Sequence, residues 1–242
     1  KGGILYTLVF GLLYFIIHTF GTTQVRTFLL ALFETRTKGL ISHKDYLFIL
    51  NSLERFHLIF TAICSSRPSG LERRYSSYAR KLRNCAGKIE SRECVKELVG
   101  LLNETLPDYK DFENKIFDIK YTSKEVKDKK LVQYILKKLE WFFARSNELQ
   151  PLSFTIEHIL PESTRTEYAG LLGNIIPLGE KLNSELKDKS FIHKVKRYPE
   201  SSYATVKKFL ERKKDTRIWG EEEIINRTKE IANILYNKMW DK

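Results

Sequence analysis

The chain has 242 residues, enough for one large domain or two smaller ones, each with its own hydrophobic core. Apolar residues make up 42% and aromatic residues 12%, which excludes a disordered or collagen-like chain. The formal charge of +12 favours an anionic partner, nucleic acid first and an acidic membrane surface second. Three cysteines without a Cys-x-x-Cys pair argue against a disulfide framework and a structural zinc site, and favour a reducing, cytoplasmic setting.

The most apolar stretch is residues 4–20, where 13 of 17 positions are apolar. Seventeen residues are the lower limit for a membrane span. Thr7, Gly11, Tyr14 and His18 recur at helical spacing, and such a weakly polar stripe is typical of a buried bundle helix. We therefore favour a bundle helix, and a membrane-tethered regulator remains an alternative.

Helical periodicity dominates residues 1–150. Apolar residues between Ile49 and Ile63 keep the 3-and-4 spacing of one helix face, and a basic helix is predicted over 71–92. Further helices are predicted at 91–102, 111–119 and 124–143. Because residue 1 is lysine and the only methionine is Met239, we expect this helical bundle to be the C-terminal part of a larger protein.

The pattern changes in residues 151–242, which we predict to be a second domain. Residues 153–159 alternate around β-branched side chains and 174–178 form a short apolar run, so both are predicted strands. Helices are predicted at 180–189, 202–213 and 221–239. The fold class is therefore mainly α, a helical bundle followed by a strand, loop, strand and helix unit with C-terminal helices.

A set of polar residues lies on this unit: Glu157 and His158 in the string EHILP, Asn174 in the string LGN, and Asn183 nine residues later. The pattern resembles the HNH branch of the His-Me finger nucleases, whose ββα-metal unit carries an acidic-His pair on the first strand and asparagines beyond it. More narrowly, residues 152–240 resemble the C-terminal nuclease domain of GmrSD-type restriction endonucleases, and the preceding helical region resembles the family's central part weakly, chiefly through the string LERF at 53–56. Trp219, Arg227 and Trp240 also fit that family.

The resemblance implies a role for each of these residues in phosphodiester hydrolysis. His158 would be the general base that takes a proton from water. Glu157 and Asn183 would supply oxygen ligands to one Mg²⁺ or Mn²⁺ ion, and Asn174 would tie the loop to the second strand and hold the His158 ring. Adjacent strand residues point to opposite faces, so we expect a bulge or the strand end at Pro161 to bring Glu157 and His158 to one centre.

Two departures from the family pattern qualify these expectations. Many HNH proteins carry Cys-x-x-Cys pairs for structural zinc, and this sequence has none, so we expect only the catalytic ion and no zinc. Pro177 cannot donate a ladder hydrogen bond, which predicts a short or edge second strand. His193 is a spare candidate for the metal, ranked below Asn183.

Basic residues supply candidate phosphate contacts in two regions. Residues 187–217 hold eleven Lys or Arg against four acids, and residues 67–92 hold eight against two. Such contacts position nucleic acid without reading its sequence, and a solvated helix face is the competing interpretation. The candidates are Arg73, Arg74, Lys187, Lys189, Lys194, Lys196 and Arg197.

The sequence therefore predicts a metal-dependent DNA endonuclease of a bacterial restriction system, with a catalytically silent nucleic-acid-binding module as the alternative. In GmrSD-type enzymes an upstream domain hydrolyses nucleotide and senses modified DNA. This chain has no Gly-x-x-x-x-Gly-Lys loop, so that domain would be a partner outside it. We expect its cleavage, on its own, to be unregulated, weak or limited to nicking.

Overall fold

The computed structural model describes residues 19–66, 69–144, 153–213 and 218–240, which are mainly helical and include one two-stranded sheet. They form two compact units, one ending at Phe112 and the other beginning at Glu113. The boundary expected between residues 150 and 151 lies inside the second of these units. None of the described helices combines the length and the apolar character that a membrane span needs. Most of the apolar segment, residues 4–18, lies outside the described residues.

The first unit is helical, as the periodicity predicts. The predicted helix through residue 63 changes at His57 from α to π geometry. The predicted helix over 71–92 is two helices, because the chain is extended at Gly87 and the Glu90 carboxylate accepts the Ala86 N–H at 2.8 Å. The helices are α1 (Arg26–Thr37), α2 (His43–Phe56), a π-helix (His57–Ile63), α3 (Leu71–Arg83), α4 (Lys88–Thr105) and α5 (Tyr109–Ile116), which crosses the division between the units.

The second unit places a small sheet among helices. Both strands fall within their predicted ranges, and an additional helix follows the one predicted after β2. The elements are α6 (Lys129–Ala144), β1 (Thr155–His158), β2 (Ile175–Leu178), α7 (Glu180–Leu186), α8 (Phe191–Arg197), α9 (Ala204–Arg212), α10 (Glu221–Asn233) and a π-helix (Ile234–Lys238).

The sheet is an antiparallel pair in which Thr155 lies opposite Leu178 and His158 opposite Ile175. The Ile159 N–H donates to the Asn174 carbonyl at 2.9 Å. Because hydrogen-bonded pairs alternate along an antiparallel ladder, the main-chain groups of residues 156 and 158 point away from β2. These carbonyls must find partners outside the sheet.

The core of the second unit surrounds the sheet and joins it to the C-terminal helices. Trp219 belongs to this core, and its ring centroid lies 5.7 Å from that of Phe191 and 5.1 Å from that of Phe209. Burial of such large side chains is the main source of stability available to a unit of this size. The core also includes Ile159, Leu171, Ile176, Leu178, Leu186, Tyr198, Val206 and Ile224.

A buried carboxylate joins α6 to α9. Glu140 on α6 accepts the main-chain N–H groups of Ala204 at 2.7 Å and Thr205 at 2.8 Å. These are among the N-terminal N–H groups that α9 cannot satisfy internally, and a carboxylate is favoured at this positive end of a helix. Residues on both sides of position 150 therefore share one packed unit.

Gly173 allows α10 to approach the start of β2. A Cβ atom at this position would lie 1.9 Å from the Ile224 carbonyl oxygen and 2.5 Å from the Thr228 hydroxyl. The Thr228 hydroxyl instead accepts the Gly173 N–H at 3.0 Å. Only glycine can occupy this contact without moving the helix.

We predict that Gly173→Ala destabilises the second unit by about 3 kcal/mol or more, because the new methyl group meets main-chain atoms that cannot move alone. Gly179→Ala is the matched control, since nothing lies within 4 Å of a Cβ there. It should cost about 1 kcal/mol or less. Urea denaturation measures both values, and equal losses would contradict the close approach.

Candidate active site around His158

His158 is the last residue of β1, and its ring is held by one hydrogen bond and lies beside one carboxylate. The Nε2 atom lies 2.8 Å from the Tyr121 carbonyl oxygen, and the Nδ1 atom lies 3.2 Å from Glu162 Oε1. The Tyr121 ring stacks on the imidazole with 5.9 Å between centroids. Because a carbonyl oxygen only accepts, Nε2 carries a hydrogen, and the neutral ring then has its lone pair on Nδ1.

The segment 120–123 forms one wall of this site. Lys120 makes an isolated bridge with Leu171, and the Tyr121 N–H donates to the Gly170 carbonyl at 2.9 Å. The Ser123 N–H donates to Glu162 Oε2 at 2.9 Å, so Glu162 contacts both this wall and the His158 ring. The segment therefore fixes the ring although it lies 37 residues away in the sequence.

Glu157 points to a different set of partners, on the α8 side of the strand. Its Oε1 accepts the Lys194 ammonium at 2.8 Å and the Tyr198 hydroxyl at 3.1 Å. Burial raises the pKa of Glu157, and Lys194 opposes that shift. Burial, with Glu157 beside it, also raises the pKa of Tyr198 well above its ordinary value. The Glu157 carboxylate and the His158 ring thus point to different sides of a regular strand. They do not meet at the one centre that the sequence predicts.

Asn174 connects the loop to the start of β2. Its Oδ1 accepts the Leu160 N–H at 2.7 Å and the Trp219 indole N–H at 3.1 Å. Its Nδ2 donates to the Leu160 carbonyl at 2.9 Å and the Ala169 carbonyl at 2.7 Å. This set uses both ends of a fully buried amide, so the side chain acts on the loop and not on the imidazole itself.

Asn183 on α7 binds the outer edge of β1. Its Nδ2 donates to the Thr155 hydroxyl at 2.8 Å and to the Ile156 carbonyl at 3.1 Å. The Ile156 carbonyl is one of the two that point away from β2, so this amide closes part of the open edge. Asn183 therefore lies beside β1 and contacts it through its side-chain nitrogen.

Arg227 on α10 completes the anchoring of β2. Its Nη1 donates to the Gly173 carbonyl at 2.6 Å and the Ile175 carbonyl at 3.0 Å, and its guanidinium lies 5.4 Å from the centre of the Phe209 ring. Burial lowers the pKa of Arg227 to about 10. The residue holds the strand that faces β1, and its Nη1 is already bonded to main-chain carbonyls.

The expected pair of metal ligands does not fit a divalent ion in this arrangement. The Glu157 side chain is 4% exposed, and a resident ammonium already balances its charge. Mg²⁺ keeps several waters when it binds protein carboxylates, which requires an accessible oxygen. No group of three or more His, Cys, Asp or Glu side chains suited to a metal occurs within the described parts of the chain.

The proposed phosphate contacts differ in exposure. Lys187, Lys189 and Lys196 are exposed in the second unit, as is the spare metal candidate His193. Lys194 is fully buried and paired with Glu157, so it cannot contact a phosphate, and its assignment there is corrected.

The three arginines among the candidate phosphate contacts differ in their exposure and in their partners. Arg197 is held by Glu185 and Glu200. In the first unit Arg73 is exposed, whereas Arg74 donates to the Thr105 hydroxyl at 3.0 Å.

Sequence reasoning missed three contributors to the site. Glu162 is four residues after His158 and directly after Pro161, and this spacing could have drawn attention to it. Tyr121 acts through its main-chain carbonyl, which leaves no signal in the residue type. Lys194 was counted as a surface charge, because lysine is rarely buried unless it is paired.

We predict that Asn174→Ala lowers the stability of the second unit by roughly 2–4 kcal/mol, because it removes four hydrogen bonds and leaves buried main-chain groups unsatisfied. Asn226→Ala, on the exposed face of α10, is the control and should change stability by less than about 0.5 kcal/mol. Urea denaturation gives both values. An Asn174→Ala loss no larger than that of the control would contradict the anchoring role.

A known protein family matches the part of the sequence that contains this site. The family described as GmrSD restriction endonucleases, C-terminal domain, matches residues 106–234. The matched range contains β1, β2, α7 and every partner of His158 named above. No curated protein matches the sequence. Since the match covers more than half of the 242 residues, the chain belongs to the GmrSD restriction endonuclease family and contains its C-terminal domain.

Proposed function

We propose that the second unit is an HNH-type, His-Me finger nuclease that hydrolyses phosphodiester bonds of DNA with His158 as general base. The family supplies the endonuclease class. The observation that carries the assignment is the hydrogen bond from Nε2 to the Tyr121 carbonyl, which leaves Nδ1 of the neutral ring as the proton acceptor. Two antiparallel strands followed by α7 support the ββα-metal class.

The groups around His158 suit the role of a general base. Nδ1 takes a proton from the attacking water, whose oxygen bonds to phosphorus while the bond from phosphorus to the leaving oxygen breaks. The ring becomes an imidazolium and later returns its proton to solvent, from which the leaving oxygen is protonated. The Glu162 carboxylate, 3.2 Å from Nδ1, lies close enough to stabilise the positive charge of the imidazolium electrostatically. Glu162 is 28% exposed, so this side of the ring lies near the surface, where a phosphate can approach.

A requirement for Mg²⁺ or Mn²⁺ is part of the proposal and comes from the family resemblance. Glu157 and Asn183, as they are arranged, do not supply a ready site, so no step above depends on the ion. We further propose that this chain acts in bacterial defence against foreign DNA, with a nucleotide-hydrolysing sensor domain as its partner.

The central test is digestion of a supercoiled plasmid with Mg²⁺ or Mn²⁺, with and without EDTA. We predict nicked or linear products that disappear with EDTA, and a loss of at least about 100-fold in rate for His158→Ala, because the general base is removed. DNA affinity should stay within about twofold. Stability should fall by about 1 kcal/mol, because the bond to Tyr121 is lost.

His43→Ala is the matched control, since His43 is exposed at the start of α2 in the first unit. It should cut at the wild-type rate. Equal cleavage by His158→Ala would contradict the base assignment. A wild-type chain that binds DNA and cuts it with neither metal would favour the silent binding module.

Exposed lysines provide a second test of DNA as the substrate. We predict that Lys187→Gln with Lys189→Gln weakens binding of any DNA sequence and reduces the slope of log affinity against log salt by about 2, because each lost phosphate contact releases one counterion fewer. The control pair is Lys229→Gln with Lys238→Gln, which are also exposed. Fluorescence anisotropy measures both slopes. Equal slopes in the two pairs would remove Lys187 and Lys189 from the interface.

A further inference from the structure

Lys194 is the one lysine that the described parts of the chain bury completely. A buried ammonium loses its hydration, which is costly unless charge and hydrogen bonds replace it. Its Nζ atom lies 2.8 Å from Glu157 Oε1 and 2.6 Å from the His158 carbonyl oxygen. Both partners belong to the last two residues of β1, so one side chain of α8 holds the end of the strand that carries the base.

The contact to the His158 carbonyl satisfies the open edge of β1. Residues 156 and 158 point their main-chain groups away from β2, and Asn183 already binds the Ile156 carbonyl. Lys194 binds the other outward carbonyl. His158 is therefore fixed twice, at its ring by Tyr121 and at its main chain by Lys194.

The ion pair with Lys194 compensates the negative charge of the buried Glu157 carboxylate. Lys194 and the Tyr198 hydroxyl share the same carboxylate oxygen, and the side chains of the ion pair are 1% and 4% exposed. A divalent ion at Glu157 would meet a fixed positive charge within a few ångströms, and burial strengthens that repulsion. The Glu157 carboxylate is thus matched to an ammonium and not to a metal.

We propose that Lys194 is a positioning residue for His158, whose ammonium holds the His158 carbonyl and takes up the Glu157 charge that a divalent ion would otherwise neutralise. This inference rests on the proposed nuclease function for its catalytic consequence. Its structural content, that Glu157 is paired with lysine and is not a metal ligand, stands without any cleavage assay.

The test uses the complete chain with Glu157→Gln, Lys194→Met and the double variant. Lys194→Met leaves a buried carboxylate unpaired, so its melting temperature should fall by roughly 10 °C. The double variant removes both charges, so it should recover at least half of the fall in melting temperature. It also serves as the folded variant if Lys194→Met does not fold. Lys229→Met, an exposed lysine on α10, is the control and should melt as the wild type does.

The catalytic readout separates positioning from mere stability. At a temperature where the variants are folded, the double variant should lose at least about tenfold in kcat with KM within twofold, since the base is displaced while DNA contacts remain. A double variant with wild-type kcat would overturn the positioning role. Failure to regain melting temperature relative to Lys194→Met would overturn the charge pairing.

The metal readout needs no activity. We predict that Mn²⁺ changes the melting temperature of the wild type and of Glu157→Gln by the same amount. That amount is zero if Mn²⁺ stabilises neither protein. A Mn²⁺-induced rise that is present in the wild type and lost in Glu157→Gln would make Glu157 a metal ligand and overturn the inference.

A proton NMR spectrum distinguishes failure of this inference from failure of the proposed function. The wild type should show a slowly exchanging imidazole N–H that is absent in His158→Ala, because Tyr121 holds Nε2–H. The double variant should lose this signal or exchange it at least tenfold faster. An unchanged signal would overturn the inference, even if the wild-type chain cuts no DNA.

Discussion

Within the described residues, the outer edge of β1 has no neighbouring strand, and side chains from two helices satisfy its carbonyl groups. Asn183 binds the Ile156 carbonyl, and Lys194 binds the His158 carbonyl. A short two-stranded sheet is only marginally stable on its own, so these contacts decide whether the strand is rigid at its last residue. The orientation of the His158 ring depends on that rigidity, because the ring extends from the end of the strand.

Side chains from the loop and from α10 anchor β2 in the same way. Asn174 joins the loop to the beginning of β2, and Arg227 binds the carbonyls of Gly173 and Ile175. Gly173 lets α10 come close enough for these bonds. The C-terminal helices are therefore part of the site's support, which explains why two strands of only four residues each can carry a positioned histidine.

The sequence predicts the elements of this region well because their signals are local. The strand ranges 153–159 and 174–178 contain the observed strands, and Pro177 agrees with a β2 of only four residues. The basic helix over 71–92 was predicted as one element, but it is interrupted at Gly87, where a capping contact from Glu90 begins the next helix. A local capping interaction competes with periodicity there.

The site was predictable only in part, because its partners are distant in sequence. The trio Glu157, His158 and Asn183 was expected around one ion, yet the alternation of a regular strand directs the first two to different partners. In the sequence, Lys194 resembles an exposed charge. Its spacing does not reveal that it pairs in the interior with Glu157, which lies 37 residues earlier. The Tyr121 carbonyl carries no sequence signal at all.

The most direct measurement of this account is a crystal structure of the chain with a short DNA duplex that carries a non-hydrolysable phosphorothioate, grown with Mn²⁺. The account predicts His158 Nε2 on the Tyr121 carbonyl, Nδ1 facing the phosphate through one water, and Lys194 still on Glu157. DNA bound away from His158, or a ring turned so that Nε2 leaves Tyr121, would contradict it.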